Sequence, residues 1–68
     1  MKTIDARGLS CPEPVVLTRQ ALMSNENEYE VIVDNPTSKE NVTRYAEHQG
    51  YSVSVKEASG EYTLSLKK

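Results

Sequence analysis

The sequence predicts a two-layer α/β (α+β) sandwich in the order βαβαββ, a four-stranded mixed sheet with both helices on one face. Three observations point there. Two stretches of helical apolar spacing alternate with β-branched stretches, and the chain ends in two strictly alternating runs. A glycine-bearing turn separates those last two runs, as in a hairpin. The 68 residues suffice for one domain, 1–68, with a small core and no room for a deep enclosed active site.

Lys2-Thr3-Ile4-Asp5-Ala6 alternates weakly and reads as a short strand, followed by the loop Arg7-Gly8-Leu9-Ser10. From Pro12 to about Ser24 the spacing turns helical. Pro14, Val15, Leu17, Thr18, Ala21 and Leu22 share an arc about 160° wide, a core-facing stripe, while Val16 and Met23 lie opposite. Asn25-Glu26-Asn27-Glu28 breaks that pattern, and the acidic cluster from Glu26 to Glu30 reads as a solvated turn. Tyr29-Glu30-Val31-Ile32-Val33-Asp34 is β-branched and nearly continuously apolar, which suits a central strand. Asn35-Pro36 then reads as a turn. Thr37-Ser38-Lys39-Glu40 fits a capping box, with Thr37 at the N-cap and Glu40 at N3. Val42, Tyr45, Ala46 and Gln49 form the inner face of the helix it opens, and Gly50 is placed to end it. Tyr51–Lys56 and Tyr62–Lys67 alternate, joined through Ala58-Ser59-Gly60-Glu61. Right-handed crossovers make the first two strand connections parallel and the hairpin antiparallel. The Ser, Thr and Lys partners of the alternating strands predict one wet sheet face.

Composition excludes several functions. Net charge is −2 and the eight basic residues are scattered, so direct nucleic-acid binding is not expected. A single cysteine cannot form an internal disulfide. No run is long and apolar enough for a signal peptide or a bilayer span, so the expected location is the cytoplasm, away from membranes. One Cys and one His leave too few soft ligands for structural zinc, and no metal or cofactor is expected.

Chemistry concentrates in Cys11-Pro12-Glu13-Pro14. Prolines interrupt a helix interior but are tolerated in its first turn, where backbone N–H groups have no intrahelical acceptor. The motif therefore sets Cys11 at the N-cap, with Pro12, Glu13 and Pro14 forming the first turn. Only the thiolate is nucleophilic. At an ordinary pKa of about 8.5, roughly 3% of a thiol is ionised at pH 7. The positive end of a helix favours the anion by roughly 0.3–2 kcal/mol. Arg7 adds to that effect and the Glu13 carboxylate opposes it, so the expected thiol is moderately acidic. There is no second Cys for dithiol exchange. His48, at the far end of the second helix, has no reason to serve as a base, and reads as solvated. No Arg stands six residues after Cys11, where Leu17 sits, which argues against a phosphate-cradling loop. Composition alone favours a buried, inert cysteine; the position between Ser10 and Pro12 at a loop tip brings a reactive thiol level with that reading. Val16 and Met23 are either incidental surface residues or a docking surface around the thiol.

Asp5, Arg7-Gly8-Leu9-Ser10 and Cys11-Pro12-Glu13-Pro14 together resemble the D-x-R-G-x-x-C-P-x-P signature of the TusA/SirA/YedF sulfur-carrier family. The likeness continues through Asp34-Asn35-Pro36, Asn41-Val42, Tyr45 and Gly50-Tyr51, covering essentially the whole chain. Glu40-Asn41-Val42 looks most like the YedF branch, whose full proteins usually carry a second domain, so the chain fits either a stand-alone relative or a fragment. The resemblance implies that Cys11 accepts a persulfide from a cysteine desulfurase or rhodanese-type donor. It then relays sulfur to a downstream acceptor in tRNA thiolation, thio-cofactor or selenium-linked metabolism. Arg7, Gly8, Pro12, Glu13 and Pro14 would support the carrier residue. An enzymatic role, if any, would be that of a sulfurtransferase. The alternative is a regulatory or protein-interaction domain in which the thiol is dispensable.

Overall fold

A computed structural model describes residues 2–9 and 13–68. Its elements are β1 (Lys2–Asp5), α1 (Glu13–Leu22), β2 (Glu28–Val33), α2 (Pro36–His48), β3 (Ser52–Ala58) and β4 (Glu61–Lys67). The predicted order and layer arrangement hold. The expected N-cap role of Cys11 and the placement of Pro12 fall outside the described residues.

The sheet is four-stranded in the order β1-β2-β4-β3. β1 pairs parallel to β2, with Ile4 opposite Val31. β4 pairs antiparallel to β2, with Leu64 opposite Val31, and antiparallel to β3, with Val55 opposite Leu64. The last strand thus inserts between β2 and β3. β3 runs parallel to β2 as predicted, but one place removed from it. That insertion decides burial. β3 and β4 alternate alike in sequence, yet Leu64 and Leu66 are buried while Val55, on the edge strand, is 46% exposed.

The core lies between the sheet and the helices. Tyr29, Val31, Val33, Leu64 and Leu66 meet Ala21 of α1 and Val42 and Ala46 of α2. On α1 the predicted stripe is inward: Pro14, Thr18 and Ala21 are buried, and Val15, Leu17 and Leu22 pack against the core. Thr18 is tolerated there because its hydroxyl donates to the Pro14 carbonyl at 2.9 Å. Of the expected α2 face, Val42 and Ala46 are fully buried, Tyr45 is half-buried and Gln49 is exposed.

The start of α2 differs from the capping-box reading. Asn35 is the N-cap, its side-chain oxygen accepting from the Ser38 N–H at 2.7 Å, and Pro36 occupies the first turn. Thr37 is already helical. Pro36 lacks the N–H that a first-turn residue does not need, so the helix can begin there, two residues before the Thr-based box. The other end follows expectation. Gly50 at φ +91° donates to the Glu47 carbonyl at 3.0 Å, and the Tyr51 N–H reaches the Ala46 carbonyl at 3.0 Å. These two bonds make a Schellman stop. The β3–β4 turn is Ser59-Gly60, with φ of 53° and 77°. Positive φ at both central residues matches the right-handed twist of a two-residue hairpin.

Candidate functional site

Because β1 and β2 are parallel, both end at the same edge of the sheet, and the helices that follow both begin there. Ligand and catalytic sites in α/β sheets gather at such carboxyl ends. The segment carrying Cys11 connects β1 to α1 at this edge, although Ser10, Cys11 and Pro12 themselves lie outside the described residues.

The residues flanking that segment are firmly held. Ala6 is fully buried, and its N–H donates to the Ile32 carbonyl at 2.8 Å, extending the β1–β2 ladder by one rung. Arg7 turns back on Asp5. Its Nε donates to Oδ1 at 2.9 Å and its Nη2 to Oδ2 at 2.8 Å, while its backbone N–H also donates to Oδ1 at 3.1 Å. Nη1 reaches Glu61 Oε2 on β4 at 3.2 Å. This forked contact holds the Asp5 carboxyl down at about 2, and the two carboxylates raise Arg7 further above its ordinary value. Gly8 has φ +78°, a conformation L side chains rarely adopt, and its N–H donates to Asp34 Oδ2 at 2.8 Å. Leu9 then packs against the core. Beyond the undescribed residues, Glu13 is exposed and Pro14 is buried in the first turn of α1.

Among the predicted supporting residues, Arg7 and Gly8 are therefore fixed by carboxylates from three other positions, and Glu13 and Pro14 begin α1. The guanidinium of Arg7 is engaged by Asp5 and Glu61. Val16, 42% exposed, lies one turn into α1; Met23, 79% exposed, follows its last turn. They are seven positions apart, about 10 Å at 1.5 Å per residue along the axis of α1. His48 closes α2, about 18 Å along the axis from the helix start at the site edge. Among the described residues, no group of three His, Cys, Asp or Glu side chains could hold a metal ion. No helix among them is long and apolar enough to cross a membrane.

Sequence reasoning missed Asp34 and Glu61 as partners of the loop. No local signal marks them, since they lie 26 and 54 residues from their contacts. Asn35 was legible: an Asx residue immediately before proline is a sound N-cap signal.

Comparison with known proteins gives three concordant results. A family model described as Sulfurtransferase TusA matches residues 2–68. A candidate sulfur carrier protein of Methanocaldococcus jannaschii is 37% identical over 71 residues, spanning 100% of this chain and 95% of its own length. The crystal structure of a SirA-like protein from Desulfitobacterium hafniense matches with a TM-score of 0.90 at 32% identity, covering 98% of this chain and 96% of that one.

Proposed function

Because the chain belongs to the sulfurtransferase TusA family, we propose that it carries sulfur between proteins as a persulfide on Cys11. One observation supports this above the others: the family match spans residues 2–68, and within the chain there is only one cysteine to bear the cargo. A covalent sulfur carrier needs a thiol, and Cys11 is the sole candidate.

The chemistry balances without a cofactor. Cys11 loses its proton and attacks the outer sulfur of a donor persulfide. The donor S–S bond breaks, the donor thiolate leaves with the electron pair and takes up the proton, and a new S–S bond joins the sulfur to Cys11. A thiol on the acceptor repeats the step in the opposite sense. No net oxidation occurs. The partners are accordingly a donor protein such as a cysteine desulfurase or rhodanese-type enzyme, and an acceptor protein in a thiolation pathway. A reducing compartment, the cytoplasm, suits a free thiol of this kind.

Roles for the neighbouring residues follow from connectivity. Gly8 and Leu9 on one side and Glu13 and Pro14 on the other leave only three residues between anchored segments. Pro14 stiffens the first turn of α1, Pro12 is proposed to support the carrier residue beside it, and a helix N-terminus favours an anionic sulfur. The Glu13 carboxylate keeps that preference moderate. In this reading Arg7 shapes the loop rather than pairing with sulfur.

Incubation with a cysteine desulfurase and cysteine should add one reducible sulfur atom, seen by intact mass, to wild type and none to Cys11→Ser. Uptake by the Cys11→Ser protein would refute the assignment. The exposure of Val16 and Met23 is the observation that favours a thiol-independent interaction domain. In that case Cys11→Ala would retain full partner binding and function.

A further inference from the structure

We propose that Asp34 is a positioning residue for the carrier segment, acting through the Gly8 N–H; the inference rests on the sulfur-carrier reading and deepens it. Asp34 follows β2 directly, at the turn into α2, and its Oδ2 accepts from Gly8 at 2.8 Å. Its other oxygen faces the Asn35 side chain, with Nδ2 at 3.4 Å, and Asn35 in turn caps α2. One carboxylate thus links the loop leaving β1 to the turn that opens α2.

The geometry at Gly8 explains why glycine stands there. A Cβ would meet nothing within 4 Å, so crowding is not the reason. The positive φ is: with the amide held on Asp34, it sets the direction in which the chain leaves Gly8, and a side chain would strain that turn. Arg7 is bound separately by Asp5 and Glu61, so two consecutive residues are tied to three carboxylates. Only the Gly8 tie reaches the β2–α2 turn. Cys11 is three residues beyond it. Loss of the tie frees the loop to sample more backbone states, and a sulfur presented from a wider range of positions meets a protein-bound donor less often in line. A charge-assisted bond is roughly twice as strong as a neutral one, so its loss should be felt even at an exposed site.

The test compares Asp34→Ala, which removes the acceptor, with Asp34→Asn, which keeps an oxygen but no charge, and Gly8→Ala, which breaks the bond from the donor side. The readouts are hydrogen exchange of the Gly8 amide and the rate of sulfur transfer from a persulfidated cysteine desulfurase across pH. Asp34→Ala and Gly8→Ala should each speed exchange and slow transfer about three- to tenfold. Asp34→Asn should restore most of the rate, and the midpoint of the pH profile should stay put. Wild-type transfer rates in both disrupted variants would overturn the positioning role and leave the carrier reading intact. So would equal shifts of the pH midpoint in Asp34→Ala and Asp34→Asn, the mark of a charge effect. A wild-type protein that takes up no sulfur at all would overturn the carrier reading and this role with it. Should Asp34→Ala fail to fold, Gly8→Ala and Asp34→Asn decide the question by the same measurements.

Discussion

The loops at the two ends of the sheet are held by different means, although an exposed Lys67–Glu28 pair at 3.7 Å also lies at the end where β2 begins. At the end where β1 and β2 finish, exposed charges tie the loops: Arg7 to Asp5 and Glu61, and Gly8 to Asp34. At the other end, buried tyrosines do it. Tyr29 is fully buried, and its hydroxyl lies 3.0 Å from Ser24 Oγ and accepts from the Glu26 N–H at 2.8 Å. Tyr51 packs edge-on against it at 5.8 Å between ring centres, and its own hydroxyl donates to the Glu26 carbonyl at 3.0 Å. One end is fastened by apolar burial with satisfied hydroxyls, the other by solvent-screened ion pairs. Burial supplies kilocalories and a single geometry, whereas exposed pairs supply direction at little energetic cost. The segment proposed to carry sulfur connects β1 to α1 at the second kind of end, where exposed ties can yield to a partner at less cost than buried ones.

Three variants probe that contrast. The largest effect belongs to Tyr29→Ala, which empties a fully buried aromatic site and orphans the Glu26 N–H. Loss of about 3–5 kcal/mol of unfolding free energy is expected from denaturant titration, enough to unfold much of so small a domain. A loss under about 1 kcal/mol would mean that the tyrosine end is not the anchored one.

Tyr51→Phe keeps the ring and removes one hydrogen bond, at about 1 kcal/mol. It also tests a pH effect. Burial, and then the neighbouring Tyr29, push the Tyr51 hydroxyl above its ordinary value of 10.0. The folded state therefore holds this proton more tightly than the unfolded chain, and its contribution is intact below pH 10 and fades as pH rises beyond it. Alkaline melting curves should fall less steeply for Tyr51→Phe than for wild type. Parallel curves would refute the assignment.

Arg7→Ala should have the smallest effect, a change in melting midpoint below that of Tyr51→Phe, because both ion pairs are about half exposed. What should change is the acid limb. Asp5 titrates at about 2 when folded, against an ordinary 3.8. Its small contribution is present above pH 3.8 and lost as pH falls toward about 2. That step should vanish in Arg7→Ala. A destabilisation as large as that of Tyr29→Ala would reverse the ranking of the two ends.

Much of this was legible along the chain. The helical stripe of α1, the alternation of β3 and β4, the Ser59-Gly60 turn and the Gly50 stop all arise from contacts between near neighbours, where side-chain spacing and backbone preference act directly. Glu13 and Pro14, which open α1, belong to the same class, since proline restricts the backbone wherever it stands; the Cys11 and Pro12 part of that motif lies outside the described residues. The Thr37 cap was misread because two capping-type residues compete within three positions and the helix took the one followed by proline.

By itself, then, the sequence determined which segments are helix or strand, where most of them stop, and that a single thiol, Cys11, is there for the proposed carrier chemistry to use. Tertiary structure alone decided that β4 separates β2 from β3, that Val55 is left on an edge while Leu64 is buried, and that Asp34 and Glu61 close on Gly8 and Arg7. The reason is range: periodicity encodes which face of an element is apolar, but its neighbour is chosen by the simultaneous burial of all those faces, a property no single segment contains.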